Sequence, residues 1–563
     1  MDIVRTLKSL ARRFLPAQKV EPGLPDWSRR IKQDAGLWRD ARARAAKGPS
    51  ILIATSVGGF GPGTIVESLL GVALTLRGAN VRTLLCDAAL PACLLATVGK
   101  VGSADVIADR KLSDKLCQGC QWRGRSVMDS AGLPVTQYSE LLTDADRAAA
   151  RTAAEATPLE QIGTYEWEGI AVGEHARAGT LRFFARGQLE GEPRADEVLR
   201  RYFEAALLTA RAVGTLLKRQ RFDAVVFNHG IYVPHGITAD VCRKAGVRLV
   251  TWNVAYRKSC FIFSHDDTYH HTLLSEPASA WENIAWSADQ EKQTMDYLAS
   301  RLTGKRDWIW FHEKPFEDID KIAAECGVDF SKPVVGLLTN VFWDAQLHYR
   351  ANAFKDMLDW MLQTIRWFAD HPHLQLLIRI HPAEVRGTVP SRQPILDELR
   401  KAFPTMPANV FIIPPESNSS TYAAMYKCDS VLIYGTKTGV ELTAVGIPVI
   451  VGGEAWIRGK GVTMDAGSPD EYFALLNRLP LGKRLDEPTT RRARKYAYHF
   501  FFRRMIPLEF MKPSQVPSQF EIEGEGLAGL LPGASPGLDV ICDGILKGSP
   551  FVFPAESFGP PRE

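Results

Sequence analysis

Residues 334–451 alternate short apolar runs with stretches of helical spacing, and few folds accept that pattern. Residues 334–339, 374–380, 410–413, 430–434 and 447–451 read as strands. Between the first two, Phe354, Met357, Leu358, Met361, Leu362, Ile365 and Phe368 recur at helical spacing, and further helices fit 395–403, 419–427 and 438–445. Strands that are apolar throughout must be covered on both faces, and strands linked through helices run parallel. The pattern predicts a doubly wound α/β sheet.

The chain opens with the same arithmetic. A strand at 51–55 runs into the glycine-rich Ser56-Val-Gly-Gly-Phe-Gly-Pro-Gly63, then an apolar helix at 64–76 and a strand at 81–86. Gly58, Gly59, Gly61 and Gly63 permit a tight turn and close ligand approach, so they are expected to form a loop on the acceptor side of a cleft. Their spacing is not the G-x-G-x-x-G of a dinucleotide site. Residues 103–200 are polar and helical and read as an insertion. A helix at 196–218 then feeds strands at 223–227 and 248–252, and the sheet is expected to continue to about residue 265. Residues 281–301 read as a charged helix and 307–332 as a connection. The expected division is 1–47, an N-terminal helix and linker; 48–310, a first Rossmann-like unit with the insertion; 311–485, a second such unit; and 486–563, a helix and a Pro/Gly-rich tail wrapping the surface, with a short helix at 538–546.

The 563 residues carry 68 Lys and Arg against 64 Asp and Glu, and are 45% hydrophobic and 23% charged. That length at roughly 100–200 residues per domain accommodates two large units, and the apolar content excludes global disorder. A net charge of +4 excludes a large nucleic-acid footprint. The excess is local: residues 1–20 hold Arg5, Lys8, Arg12, Arg13 and Lys19 against Asp2, with Ile3, Val4, Leu7, Leu10, Phe14 and Leu15 at helical spacing. This reads as a basic amphipathic helix that either lies on an anionic membrane surface or packs on the protein. No secretory leader is recognised and no run reaches the roughly 18 apolar residues of a membrane span, so the expected location is cytoplasmic, with peripheral contact at the inner face of the membrane.

In an open parallel sheet, ligands bind beyond the carboxyl ends of the strands. The residues there are Arg379, His381 and Glu384 after one strand, Ser419 and Ser420 after the next, then Thr436, Lys437, Thr438, Gly439 and Glu441, and finally Arg458 and Lys460. Backbone N–H groups, hydroxyls and cations suit a phosphate, Glu441 suits ribose or sugar hydroxyls, and Arg458 and Lys460 suit a leaving phosphate or a substrate carboxylate. Taken singly, each also has a bland reading, as a helix cap or a turn. Their convergence on one rim favours a nucleotide-sugar site.

Leu338-Thr-Asn-Val-Phe-Trp-Asp344, Ile378-Arg-Ile-His-Pro-Ala-Glu384 and Tyr434-Gly-Thr-Lys-Thr-Gly-Val-Glu441 with Gly446-Ile-Pro-Val-Ile450 resemble the capsule polysaccharide biosynthesis family of GT-B glycosyltransferases, related to Kdo transferases and His-Pro-motif sialyltransferases. The resemblance spans about residues 50–480. It implies two Rossmann-type domains facing a cleft, donor nucleotide held by His381 and by Ser419, Ser420, Thr436 and Thr438, and a saccharide or lipid-linked acceptor. The loop Gly-Thr-Lys-Thr-Gly departs from the plain Ser-Ser or Ser-Thr pair of those relatives, which leaves CMP or another nucleotide open. The implied reaction is displacement at the anomeric carbon with no catalytic cofactor. An inverting enzyme needs a general base in the first half, and His229, His235, Asp266 and Asp267 are the candidates. The alternatives are a nucleotide-sugar epimerase and a non-catalytic capsule assembly or export protein.

Cys86, Cys93, Cys117 and Cys120 form C-x6-C and C-x2-C pairs. Four thiolates so spaced fit a structural zinc; the alternative is a buried strand cysteine beside a chance C-x2-C.

Overall fold

The computed structural model describes residues 19–302, 304, 306–308, 315–344, 353–514 and 520–558. Apart from Lys19 and Val20, the basic segment expected to form an amphipathic helix lies outside the described residues. None of the described helices is long and apolar enough to cross a membrane.

Thirteen strands build two sheets: β1 (Ser50–Ser56), β2 (Asn80–Leu85), β3 (Val135–Gln137), β4 (Ala224–Asn228), β5 (Arg248–Val254), β6 (Cys260–His265), β7 (Val334–Leu338), β8 (Gln375–Arg379), β9 (Val410–Ile413), β10 (Ser430–Ile433), β11 (Val449–Val451), β12 (Met464–Asp465) and β13 (Ile506–Pro507). The first sheet has the order β13-β6-β5-β4-β1-β2-β3 and the second β12-β11-β10-β7-β8-β9. Strands β1 to β5 and β7 to β12 pair in parallel, whereas β6 and β13 run antiparallel at one edge. Each sheet therefore reverses its strand order at one central pair, β1 and β4 in the first and β7 and β10 in the second. The fold is the expected GT-B-like pair of doubly wound units.

Burial explains the all-apolar strands. Every residue of β4, β7, β8 and β10 is buried, because helices cover both faces. The helix Gly61–Leu76 is buried from Pro62 to Leu76, as expected of a helix that is apolar on all sides. Its one charged residue is Glu67. The 25-residue helix Ala195–Arg219 is amphipathic and lays its apolar stripe on the helices Asp144–Ala156 and Val172–Phe184.

Three expectations change. The helical insertion contains β3, which extends the first sheet beyond β2. A three-residue edge strand leaves too short a run for periodicity to reveal. The N-terminal linker holds two packed helices, Trp27–Gln33 and Ala35–Ala45, which bury Trp27, Trp38, Ala41 and Ala45. The segment after residue 486 contains the two expected helices but does not merely wrap the surface. Its first helix, Glu487–Tyr498, packs on the helix Thr438–Ala444 of the second unit, β13 then pairs with β6 of the first, and the helix Pro536–Lys547 buries Leu538, Ile541, Cys542 and Ile545 against the first sheet. Pro488 and Pro536 open its helices and Gly537 and Gly544 lie within the last one, so a high Pro and Gly content does not mark a surface tail here.

The C-terminal helix is therefore part of the first unit's core, and Ile541→Ala should destabilise the protein by about 2–5 kcal/mol. Urea unfolding of Ile541→Ala against the exposed-site control Lys547→Ala checks this. Equal midpoints for the two variants would place the helix outside the cooperative core.

Candidate functional site

A cavity of about 860 Å³ lies between the two units, at the carboxyl ends of both sheets. That volume suits a ligand of nucleotide-sugar size. The second unit contributes the loops after β7, β8, β9 and β10, through Thr339, Asn340, Asp344, Arg379, His381, Ser420, Thr421 and Gly435 to Thr438. The first contributes His229, Asn253, Tyr256, Tyr269 and His270, and the helical insertion closes the wall with Glu174, Arg177 and Gln188.

Of the donor-side residues expected from sequence, Arg379, His381, Ser420, Thr436, Lys437 and Thr438 line this cavity. The backbone N–H of His381 donates to Thr339 Oγ1 at 3.0 Å, and its Nδ1 accepts from the N–H of Ala383 at 3.1 Å. This second bond fixes the ring on the turn. Arg379 is 2% exposed and braces the β9 loop by donating to the carbonyls of Pro414 and Ser417 and to Thr421 Oγ1. Ser420 caps the helix Thr421–Lys427 through the N–H of Ala423. Thr436 Oγ1 and Thr438 Oγ1 lie 3.1 Å apart.

Lys437 is held by a buried ionic network. Its Nζ sits 2.6 Å from Glu441 Oε1, and Arg301 Nε lies 3.0 Å from the same oxygen. Tyr422 donates to Glu441 Oε2 at 2.8 Å, Arg301 also pairs with Asp307, and Tyr297 donates to Asp307 Oδ1 at 2.7 Å. Two cations and two carboxylates balance. Burial and the nearby Arg301 pull the Lys437 ammonium down to about 8, against the opposing pull of Glu441 and Asp307. The ammonium also lies 4.8 Å from the centroid of the Tyr256 ring, so the first unit covers it from the other side.

The remaining donor-side residues do other work. Glu441 is 1% exposed and saturated by Lys437, Arg301 and Tyr422, so it orients Lys437 rather than reaching a sugar. Glu384 accepts the N–H of Ile395 at 3.1 Å, and burial raises its carboxyl to about 7. Ser419 donates to Glu325, Gly439 packs under Ile433 and Ile457, and Arg458 donates to the carbonyl of Gly453. Lys460 reaches across to the first unit and donates to the carbonyls of Leu274 and Glu276. None of these six is among the residues that line the cavity.

On the acceptor side, His229 alone of the four candidate bases lines the cavity. It has a left-handed φ of 66°, and its buried Nδ1 has no hydrogen-bond partner among the described residues. Burial, then His270 and Arg182, hold its imidazole well below the usual histidine range, so the ring is neutral. His235 is 1% exposed and its Nε2 lies 3.0 Å from the Thr55 carbonyl oxygen, a packing role. Asp266 offers its backbone carbonyl to Arg243, and the Asp267 carboxylate pairs with His271 Nδ1 at 3.0 Å. The glycine loop is also displaced from the cavity. A Cβ on Gly58 would stand 2.6 Å from Gly124 Cα, and the N–H of Gly59 donates to Cys120 Sγ at 3.1 Å, so Gly58 and Gly59 let the helix Gln118–Ser130 approach the sheet. Gly61 and Gly63 lie in the first turn of the helix Gly61–Leu76. Cys86, Cys93, Cys117 and Cys120 are free thiols, and among the described residues no three His, Cys, Asp or Glu side chains come together as metal ligands.

Sequence reasoning missed His270, Tyr256, Tyr269, Arg301 and Asp344. His270 sits 5.9 Å from His229, ring to ring, and 5.7 Å from Trp456 of the second unit. The His-rich run Tyr269-His-His271 after β6 was the available signal.

No protein family matches the chain by sequence, and no curated protein does. Solved structures similar to it include a KpsC β-Kdo 2,4 transferase from Thermosulfurimonas dismutans, at 12% identity over 49% of this chain and 79% of that one, with a TM-score of 0.32. The MnaA-UDP co-structure from S. aureus matches at 10% identity over 80% and 91%, with a TM-score of 0.27. A sucrose-phosphate synthase from Thermosynechococcus elongatus matches at 11% identity over 81% and 95%, with a TM-score of 0.27.

Among the described residues, removing Glu441 leaves Lys437 and Arg301 with only Asp307 to balance them, so Glu441→Ala should cost about 3–5 kcal/mol. Lys437→Met should cost less, because Glu441 keeps Arg301 and Tyr422. Chemical denaturation of both variants checks the order, and a more damaging Lys437→Met would contradict the network.

Proposed function

We propose that the protein is a glycosyltransferase that moves a sugar from a nucleotide-linked donor to a saccharide or lipid-linked acceptor. The observation that carries this reading is the interdomain cavity, with hydroxyls and a buried ammonium on one wall and a neutral imidazole on the other. In the reading, Thr436, Lys437, Thr438 and His381 hold the donor phosphate. As the anomeric carbon–oxygen bond breaks, negative charge grows on the leaving phosphate. Lys437 meets that charge in a site where Tyr256 and the surrounding strands limit water, which strengthens the interaction. The acceptor oxygen approaches from the first unit and bonds to the anomeric carbon as the bond to phosphate breaks, and its proton passes to the neutral imidazole of His229, which lines the cavity. Tyr269 and His270 pack beside Trp456, with Tyr269 and Trp456 rings 5.6 Å apart, and form an apolar floor on which a sugar ring can rest.

Lys437 gives the reading a pH signature. Its folded pKa of about 8 lies below the ordinary 10.5. Between these values the unfolded chain binds more protons, so this group's contribution to stability rises with pH. Phosphate affinity moves the other way, because the ammonium is lost as pH passes about 8.

Thermal unfolding with CMP, UDP, GDP or dTDP tests the proposal, since binding to the native state raises Tm by an amount set by RT ln(1 + [L]/Kd). One nucleotide should raise Tm at pH 7, with the effect fading above about pH 8 and lost in Lys437→Met. Donor turnover should require an acceptor, which an epimerase would not. No shift with any nucleotide, or an undiminished shift in Lys437→Met, would overturn the reading.

A further inference from the structure

The first sheet comes apart where its strand order reverses. Pairing between β1 and β4 runs from Ile51 with Ala224 to Ile53 with Val226 and stops there, although β4 continues to Asn228 and β1 to Ser56. Beyond that point the carbonyl of Thr55 and the N–H of Asn228 find partners outside the β1–β4 ladder, and the Thr55 carbonyl also accepts the N–H of Val57. Buried groups of this kind must be satisfied by something else. The ring of His235 takes the first at 3.0 Å. Glu67 takes the second: its Oε1 accepts the N–H of Asn228 at 2.8 Å and also the indole N–H of Trp252 at 3.0 Å.

Both contacts of Glu67 support the turn after Asn228. His229, Gly230 and Tyr232 all have left-handed φ, of 66°, 78° and 63°. For His229 and Tyr232 that conformation is strained, and persists only where the surroundings enforce it. The backing is Trp252, whose carbonyl accepts the N–H of His229 at 2.8 Å and the side-chain amide of Asn228 at 3.1 Å. Glu67 thus fixes both the residue before the turn and the indole that anchors it. Glu67 is 1% exposed, no cation is among its interactions, and burial raises its carboxyl to about 7, against the hydrogen bonds from Thr55, Trp252 and Asn228.

We propose that Glu67 is a positioning residue, whose buried carboxyl fills the split between β1 and β4 and sets the strained turn that carries His229 into the cleft. This rests on the reading of His229 as the general base, but Glu67 itself touches neither donor nor acceptor. The amide of Glu67→Gln keeps one oxygen that can accept both hydrogen bonds, from Asn228 and Trp252. Glu67→Leu removes both, and Glu67→Asp retracts the carboxyl by one methylene.

The test uses the full chain, with ring signals of 13C-labelled histidines read by NMR and the His229 signal assigned by its loss in His229→Gln. Turnover is measured with the sugar donor of whichever of CMP, UDP, GDP or dTDP raises Tm. Glu67→Gln should leave the His229 signal in place and kcat within about twofold. Glu67→Leu and Glu67→Asp should move that signal and lower kcat by roughly tenfold to a hundredfold, the scale expected for a misplaced reacting group, with KM and nucleotide affinity unchanged. An unmoved His229 signal in both Glu67→Leu and Glu67→Asp would overturn the proposal, as would a Glu67→Gln protein as impaired as Glu67→Asp. Should Glu67→Leu fail to fold, the contrast between Gln and Asp decides. The NMR signal reports position without turnover, so full activity in His229→Gln would sink the base assignment and leave the role of Glu67 still measurable.

Discussion

The buried pairing of Arg301, Asp307, Glu441 and Lys437 is the constraint on which the site depends. Arg301 and Asp307 stand at the end of the first unit, just before the chain enters the second, and Lys437 and Glu441 stand in the loop and helix after β10. Arg257 of the first unit forms a bridge with Asp307, and the N–H of Trp308 donates to the carbonyl of Tyr256. The crossing segment is therefore tied to the first unit by its backbone and to the second by its charges. Isolated ions in such a place would cost several kcal/mol each, and the arrangement is tolerable only because each charge has an opposite partner and further hydrogen bonds. One consequence is functional: a lysine whose hydrogen-bond geometry is already fixed meets the ligand, with little ordering left to do on binding.

Both sheets place their chemistry at the point where strand order reverses. In the second, the loops after β7 and β10 bring Asn340 within 4.0 Å of where a Gly435 side chain would begin. In the first, β1 and β4 diverge and Glu67 and His235 close the gap. One rule of parallel-sheet construction thus yields two opposed loop clusters, and the cavity is the space between them.

Much of this was legible in the sequence, for identifiable reasons. Parallel strands are buried on both faces, so β7, β8 and β10 announce themselves as apolar runs, and the loops after them follow by position. His381, Thr436, Lys437 and Thr438 were found that way. Direction along the chain does not reveal which way a side chain points. Gly439 and Glu441, one and three residues beyond the cavity-lining Thr438, turn inward to the helix core, and Glu384 turns back to cap a helix. The glycines at 58 and 59 suggested a ligand loop but serve helix packing, because glycine permits close approach by any partner. Contacts between distant segments were beyond reach: β13 pairs with β6 across more than two hundred residues, and Arg301 reaches Glu441 only in the folded chain.

The central claim is that the cleft holds a nucleotide by its phosphate on the second unit, facing His229 on the first. A crystal structure with the nucleotide that most raises Tm tests it most directly. The account predicts phosphate oxygens within hydrogen-bond distance of Lys437 Nζ and of the Thr436 or Thr438 hydroxyl, with the open space beyond them facing His229. A phosphate bound outside this cleft, or one in it that makes no contact with Lys437, would contradict it.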